Sequence, residues 1–307
     1  MRYLKRFLLP FTLLVAVVAA PAQDQVKTLP VRRSIIPAGT TVLKDLAYGP
    51  HGRNKLDLYV PKSDTPLPLI VWVHGGGWEM GSKERTGPSL ALLEKGFALA
   101  SINYRLSSQA VFPAQIEDCK AAVRWLRANA KEHNLDPVHF GAWGMSAGGH
   151  LVALLGTTGD ADFCSLDGGK DCSSAVQAVC DWFGPADFLH WGAITVNDPF
   201  ARRPSPISRL FGGLVPDKLD VAKKASPILH VSKASAPFLI FHGDKDGMVP
   251  LQQSEALNEA LKKAGVESAL HVVKNAGHGG VGFMVPEVLQ EEEAFFGKYL
   301  KSKLAAK

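Results

Sequence analysis

Cysteine is scarce in this sequence, and long runs of positive charge are absent. The 307 residues include four cysteines, and none of them forms a CxxC pair, so the common zinc-site patterns are excluded. The formal net charge is +5, without any run of five or more Lys and Arg residues. Such a balance is typical of a solvated surface and predicts no nucleic-acid partner.

Long apolar runs are absent once the first residues have passed. The first six residues hold three basic side chains, residues 7–20 are apolar, and Ala20-Pro21-Ala22 is a small-x-small site. The apolar stretch is shorter than the roughly 20 residues of a transmembrane helix. We therefore expect a signal peptide over residues 1–22 and a mature start near Gln23. The mature protein is predicted to be periplasmic or extracellular, without stable membrane insertion.

Export makes disulfide bonds possible for the four cysteines. Cys164 and Cys172 flank the polar, Gly-rich segment SLDGGKD, which can fold back on itself, so we predict a Cys164–Cys172 bridge. Cys119 and Cys180 lie in apolar, regular segments, where a small buried thiol is the ordinary role.

Strand and helix patterns alternate along most of the chain. Eight segments have the composition of strands, and most are continuous apolar runs of the kind buried on both faces. They are LKDLAYG, NKLDLYVP, PLIVWVH, FALASINY, PVHFGAWG, SAVQAVCDWF, APFLIFHG and SALHVVKN. Helices are expected at about 86–95, 113–133, 147–155, 252–264 and 287–301. This alternation predicts an α/β fold: a single domain over 23–307 whose mostly parallel sheet has helices on both faces.

The main interruption of that alternation lies at about 187–233. The segment is rich in Pro, Gly and aromatic residues, and loops of that length usually have a function or contain small helices. We interpret it as an insertion over one end of the sheet.

The segment GAWGMSAGGH contains the pentapeptide Gly144-Met145-Ser146-Ala147-Gly148. It follows a predicted strand and begins a predicted helix, which is the context that a GxSxG nucleophile elbow needs. Ser146 is therefore the candidate nucleophile. A serine hydroxyl reacts poorly at neutral pH without an adjacent base.

The chain offers ten histidines for the role of base. His278 lies in a Gly-flanked loop after the last predicted strand, where it can align with a serine at the same sheet edge, and we select it. His74, His150 and His242 are the alternatives near predicted strand ends or on the elbow helix.

A catalytic histidine also needs an acid that fixes its tautomer. The segment FHGDKDGMVP follows a buried strand and offers two candidates. We select Asp246 and expect Asp244 to bond local backbone. Asp181 and Asp187 are weaker alternatives. The resulting chain order is Ser, Asp, His, which a nucleophile-elbow fold uses.

The segment VHGGGWEMGS places three glycines beside large rings. Glycine lets backbone N–H groups approach a substrate closely, and such donors stabilise an oxyanion. We expect an oxyanion hole made by the N–H groups of Gly76, Gly77 and Ala147. Trp78 is predicted to turn into the fold and brace this loop, and His74 to anchor its start.

The motifs HGGGW, GMSAGGH, DWFGPADF, HGDKDGMVP and AGHGG occur in this order. Together they resemble the α/β-hydrolase superfamily and, within it, the hormone-sensitive-lipase-like esterases and the bacterial ferulic-acid-esterase-like (BD-FAE) group. The resemblance covers residues 40–303. It implies an α/β-hydrolase fold with an eight-stranded sheet and an insertion over the active-site end. It also implies Ser146, Asp246 and His278 as a triad, Gly76, Gly77 and Ala147 at the oxyanion positions, and no metal or organic cofactor.

Export and this resemblance together favour a secreted carboxylesterase. Its expected substrates are acetyl or feruloyl esters of plant cell-wall polysaccharide, or small aryl and alkyl esters. Trp78, Phe183 and Trp191 are candidates for the substrate-binding surface, with ordinary packing as the alternative role. An arylformamidase-like amidase, a prolyl-oligopeptidase-like peptidase and a non-catalytic binding protein of the same fold are the other interpretations.

Overall fold

A computed structural model describes residues 36–160, 172–191, 194–195 and 203–301. These all belong to one unit, Arg33–Lys307. The predicted signal peptide, residues 1–22, lies outside the described residues. No described helix is both long enough and apolar enough to cross a bilayer.

Eight strands form one sheet: β1 Thr41–Ala47, β2 Lys55–Val60, β3 Leu67–Val73, β4 Ala98–Ile102, β5 Leu135–Met145, β6 Ala178–Trp182, β9 Phe238–Gly243 and β10 Ser268–Val273. Their order in the sheet is β1-β2-β4-β3-β5-β6-β9-β10. The first two are antiparallel to their neighbours, and the remaining pairs are parallel. Each strand lies within or overlaps one of the eight segments predicted from the sequence, so the prediction of a mostly parallel sheet is confirmed. A separate hairpin contains β7 His190–Trp191 and β8 Ile194–Thr195.

The α-helices follow the strands in the alternating order that the sequence predicts. They are α1 Ala114–Ala128, α2 Ala147–Thr158, α3 Pro206–Phe211, α4 Leu219–Ala225, α5 Gln252–Lys263 and α6 Pro286–Leu300. The helix expected at 86–95 is a 3-10 helix at Ser89–Lys95. Pro88 precedes it and Gly96, in the left-handed conformation, ends it. Its seven residues exceed the usual three or four of a 3-10 helix.

Side chains on β3 alternate between two hydrophobic layers, as a two-sided sheet requires. Leu69 and Val71 face the layer that contains buried side chains of α1, α2 and α5. Ile70 and Trp72 face the opposite layer, which α6 and the 3-10 helix at 89–95 cover. Both faces of the sheet are thus buried, which explains why the strands have continuous apolar sequences.

The described part of the insertion contains the β7–β8 hairpin, α3 and α4. The start of α3 lies against the glycine loop after β3, since a Cβ at Gly77 would be 3.4 Å from Pro206 Cβ. Arg209 on α3 pairs with Glu79 in the same loop. These contacts place the insertion beside the carboxyl end of β3, the end at which ligands usually bind in parallel sheets.

Candidate active site

Ser146 lies between the end of β5 and the start of α2 in a strained backbone conformation, φ 55° and ψ −122°. A side chain at Gly148 would clash with the carbonyl oxygen of Val73, and one at Gly144 would clash with the carbonyl of Gly148. The two glycines of the pentapeptide are therefore required by close backbone contacts. A non-glycine residue with positive φ is uncommon and occurs where the surrounding structure compensates for the strain.

The structure brings Ser146, His278 and Asp246 together. His278 Nε2 lies 2.7 Å from Ser146 Oγ, and His278 Nδ1 lies 2.7 Å from Asp246 Oδ2. Because an ionised carboxylate only accepts hydrogen bonds, Nδ1 is the donor to Asp246 and Nε2 accepts the serine proton. His278 can therefore take the proton of Ser146 Oγ in this arrangement.

Several donors hold Asp246 in its ionised form. Burial raises the pKa of this carboxyl, but hydrogen bonds from His242, from His278 and from two backbone N–H groups outweigh it, and the pKa lies far below its usual range. Oδ1 accepts from Met248 N at 2.8 Å and from Val249 N at 2.9 Å. Its side chain has no exposed surface.

His242 is a second histidine beside the acid, and the sequence did not indicate that contact. Its Nε2 lies 2.9 Å from Val249 O and 3.4 Å from Asp246 Oδ2, while Nδ1 lies 2.7 Å from Ser254 Oγ. The sequence feature that could have suggested the contact is the position of His242 four residues before Asp246 in FHGDKDGMVP. Both ring nitrogens of His242 thus have partners, and Nε2 helps to hold the Asp246 carboxylate in place.

The alternative acids have other partners. Asp244 accepts from Asn275 N at 2.7 Å, and Asp187 accepts from the backbone of the next residues and pairs with His190. Asp181 is fully buried beside Gly184, whose N–H donates to Oδ1 at 2.9 Å. Burial raises the pKa of Asp181 to about 7, against the opposing effects of that N–H and of His242.

Two alternative bases are also occupied elsewhere. His74 Nδ1 lies 2.8 Å from Gly75 O, and the His74 ring stacks on Tyr104. Both contacts agree with its predicted role at the start of the glycine loop. His150 is buried and contacts Trp78 and Ala225. Burial is the main cause that lowers the pKa of each of these histidines to about 4.

The glycine loop passes close to the candidate nucleophile. A Cβ at Gly75 would lie 3.3 Å from Ser146 Cβ. Among the described residues, the N–H groups of Gly76, Gly77 and Ala147 have no acceptor outside their own helix or loop. Gly76 and Gly77 have φ of 119° and 60°, conformations that favour glycine. N–H groups without a protein acceptor near a nucleophilic serine are the donors that an oxyanion needs, and the contact at Gly75 brings the start of this loop to Ser146.

Two of the three candidate substrate-binding rings are inside the core, which corrects the prediction for them. Phe183 is fully buried with its ring centroid 4.6 Å from that of His278, so it supports the imidazole. Trp78 is 3% exposed and donates its indole N–H to His150, in keeping with the predicted bracing role. Trp191 is half-buried and stacks on Phe188 with centroids 6.2 Å apart.

Three of the four cysteines are among the described residues. Cys119 and Cys180 are buried thiols, and Cys172 is half-buried and forms no disulfide with a described cysteine. Cys164 lies outside the described residues, so the Cys164–Cys172 bridge stays a prediction. The described residues contain no cluster of three or more metal-ligating side chains.

Comparison with known proteins identifies the family. The family model of BD-FAE matches residues 56–261, which include β2 through most of α5 and contain Ser146 and Asp246. The chain belongs to the BD-FAE family. Its sheet and helices have the α/β-hydrolase fold, and the solved structures that resemble it include esterases.

Several named relatives of this BD-FAE chain are esterases. It is 32% identical to Esterase LipQ of Mycobacterium tuberculosis over 76% of this chain and 56% of LipQ. The chain thus spans little more than half the length of that relative. A truncated carbohydrate esterase from gut microbiota has 34% identity and a TM-score of 0.78, covering 84% of this chain and 95% of the other. A butyrate-bound esterase, Est2, from Thermogutta terrifontis has 27% identity and a TM-score of 0.70, covering 87% and 97%.

Proposed function

We propose that this protein is a secreted carboxylic ester hydrolase in which Ser146, His278 and Asp246 form the catalytic triad. The observation that carries the proposal is the pair of 2.7 Å contacts from His278, one to Ser146 Oγ and one to Asp246 Oδ2. The strained elbow at Ser146 and the esterase names of the BD-FAE relatives support it.

The reaction is a two-step acyl transfer. His278 Nε2 takes the proton of Ser146 as Oγ forms a bond to the ester carbonyl carbon. The tetrahedral intermediate collapses, the bond to the alcohol oxygen breaks, and His278 protonates that leaving oxygen. Water then attacks the acyl-enzyme while His278 accepts its proton, and Ser146 leaves with a proton from His278. Asp246 stabilises the imidazolium in both steps.

The oxyanion of each tetrahedral intermediate is assigned to the N–H groups of Gly76, Gly77 and Ala147. Removing a single such donor costs about 3–4 kcal/mol of barrier in other enzymes. The open N–H groups of the glycine loop and its contact with Ser146 Cβ support this assignment.

The proposed substrates are acetyl or feruloyl esters of plant cell-wall polysaccharide, or small aryl and alkyl esters. A related solved structure is named a carbohydrate esterase, and another is a bifunctional protein of Bacteroides eggerthii named GH43-CE. Large apolar side chains are exposed on the three loops that bear Gly76 and Gly77, Asp246 and His278: Met80 at 59%, Met248 at 68% and Val281 at 80%. Apolar side chains at the rim suit the acyl or aryl part of an ester.

The proposal is tested by a substrate panel with the wild type and Ser146→Ala. The panel contains p-nitrophenyl acetate and butyrate, acetylated xylan, methyl ferulate and formylkynurenine. We expect ester hydrolysis by the wild type and none by a folded Ser146→Ala variant. Activity retained in pure Ser146→Ala contradicts the assignment of the triad. A preference of the wild type for formylkynurenine indicates an amidase instead of an esterase. A wild type inactive on the whole panel supports a binding protein.

Export is a separate part of the proposal and rests on residues 1–22 of the sequence. Expression of the full chain in a bacterial host should yield a protein in the periplasm or medium whose N-terminus, by mass spectrometry, lies near Gln23. An uncleaved cytoplasmic protein contradicts it.

A further inference from the structure

A chain of two hydrogen bonds runs through the interior from the glycine loop to the insertion. Trp78 Nε1 donates to His150 Nδ1 at 3.1 Å. His150 Nε2 lies 2.7 Å from the carbonyl oxygen of Ala225. The three residues belong to the glycine loop, to the elbow helix α2 and to the insertion helix α4. One imidazole thus joins the glycine loop, α2 and α4.

The chain of bonds requires one form of His150. An indole N–H can only donate and a carbonyl oxygen can only accept, so His150 must be neutral with its hydrogen on Nε2. His150 is fully buried, and its burial lowers the pKa to about 4, which keeps the ring neutral at ordinary pH. Both ring nitrogens therefore have defined partners, and none is left for proton transfer with Ser146.

The backbone of the glycine loop is held against its local preference at Trp78. Gly76 and Gly77 have positive φ, and the following Trp78 has φ 59°, which is uncommon for a bulky side chain. Such a conformation persists only when surrounding contacts determine it. The ring of Trp78 meets those of His150 and Phe188 edge-on, at centroid distances of 5.3 Å and 5.9 Å. The bond to His150 gives this ring its only directional anchor among the described residues.

A second connection between the loop and the insertion lies at the surface. Arg209 Nη2 donates to Glu79 Oε2 at 3.0 Å, but the side chain of Arg209 is 56% exposed. Exposed ion pairs contribute about 0–1 kcal/mol and are screened by salt. The buried connection through His150 is therefore the stronger determinant of where the loop lies.

We propose that His150 is a positioning residue for the proposed ester hydrolysis. By holding Trp78 it directs the N–H groups of Gly76 and Gly77 toward the oxyanion, and its bond to Ala225 makes that direction depend on the insertion. The inference rests on the proposed function. Because the oxyanion develops its charge only in the transition state, a displaced loop lowers kcat and changes KM little.

The test measures kcat and KM for p-nitrophenyl acetate, with enzyme concentration set by active-site titration with a fluorophosphonate. Trp78→Phe keeps a ring but removes the donor, and His150→Leu removes acceptor and donor together. We expect kcat to fall by about 10-fold or more in each, with KM within about threefold. The double variant should be no slower than the slower single variant, because both substitutions break the same chain. His150→Gln, which can still accept and donate, should recover part of kcat.

The matched control is Trp72→Phe, since Trp72 is also a buried indole, with its N–H bonded to Arg85 O at 2.7 Å. It should lose stability as Trp78→Phe does while keeping kcat. Wild-type kcat in Trp78→Phe and His150→Leu, with Ser146→Ala inactive, overturns the inference and leaves the proposed function standing. Equal losses of kcat in Trp72→Phe and Trp78→Phe also overturn it. If His150→Leu does not fold, Trp78→Phe and His150→Gln decide.

Discussion

His278 Nδ1 lies 2.7 Å from Asp246 Oδ2, and the carboxylate side chain of Asp246 is completely shielded from solvent. Oδ1 of the same group is occupied by two backbone N–H groups. The carboxylate therefore cannot turn without losing these bonds, and its orientation determines which tautomer His278 adopts.

Asp246→Asn should lower kcat by about 10⁴-fold, as loss of the orienting acid does in other serine hydrolases. The amide oxygen can still accept from Met248 N and Val249 N, which leaves the amide NH₂ facing His278 Nδ1. Nδ1 must then accept, the ring hydrogen moves to Nε2, and the proton of Ser146 has no acceptor. Steady-state kinetics measure the loss of kcat, and a thermal melt shows separately whether the variant is still folded.

The control for that variant is Asp244→Asn, in which the amide oxygen can still accept from Asn275 N. We expect its kcat to stay within about threefold of the wild type, since Asp244 is exposed and the substituted amide keeps its bond to Asn275 N. If Asp244→Asn loses activity and Asp246→Asn keeps it, the assignment of the acid is reversed.

Phe183→Leu should lower kcat by about 3- to 10-fold with a small change in KM. The ring of Phe183 lies 4.6 Å from the His278 ring, and a smaller side chain leaves the imidazole free to adopt other rotamers. Phe283→Leu is the matched control, because Phe283 is equally buried and packs on Phe183 at 4.9 Å. Similar melting temperatures with different kcat values are the expected result, and equal kcat values contradict it.

Gly148→Ala should destabilise the fold by about 3 kcal/mol or more, or prevent folding. The new methyl group would overlap the carbonyl oxygen of Val73 and lie 2.7 Å from that of His74, and backbone atoms on β3 cannot move without disturbing the sheet. Gly247→Ala has open space around its Cβ position, so its free energy of unfolding should change by less than about 1 kcal/mol. Urea denaturation compares the two, and a wild-type midpoint for Gly148→Ala refutes the close packing at the elbow.

Asp181→Asn should stabilise the protein more at pH 8 than at pH 5. Burial raises the pKa of Asp181 to about 7 from its ordinary value of 3.8. Between these values the folded state binds more protons than the unfolded chain, so the contribution of this carboxyl to stability is lost as pH rises toward 7. The substituted amide does not titrate. The difference in unfolding free energy between variant and wild type should grow by about 2–3 kcal/mol from pH 5 to pH 8.

Urea denaturation of both proteins at the two pH values measures that difference. The amide oxygen of the variant can still accept from Gly184 N, so loss of this hydrogen bond does not contribute to the difference in unfolding free energy. A difference that is the same at pH 5 and pH 8 means that Asp181 does not titrate between them.

The sheet was predictable because its strands are buried on both faces. Val71 and Trp72 have to be apolar on adjacent positions, since one packs on each layer, and that requirement is visible as a continuous apolar run. The winding of residues 89–95 was not predictable, because seven residues between a proline and a glycine satisfy either helix type. Burial of Trp78 and Phe183 was also ambiguous, since a large ring suits a core and a binding surface equally.

The sequence by itself determined where Ser146, Asp246 and His278 stand along the chain, because each follows a strand of a parallel sheet and all such strand ends meet at one edge. Only the tertiary structure decided which neighbours these groups have. The contact of His242 with Asp246 and the chain from Trp78 through His150 to Ala225 join residues 4 to 75 positions apart. Such contacts depend on rotamers and on the packing of α2 and α4 against the sheet, which no local pattern of residues encodes.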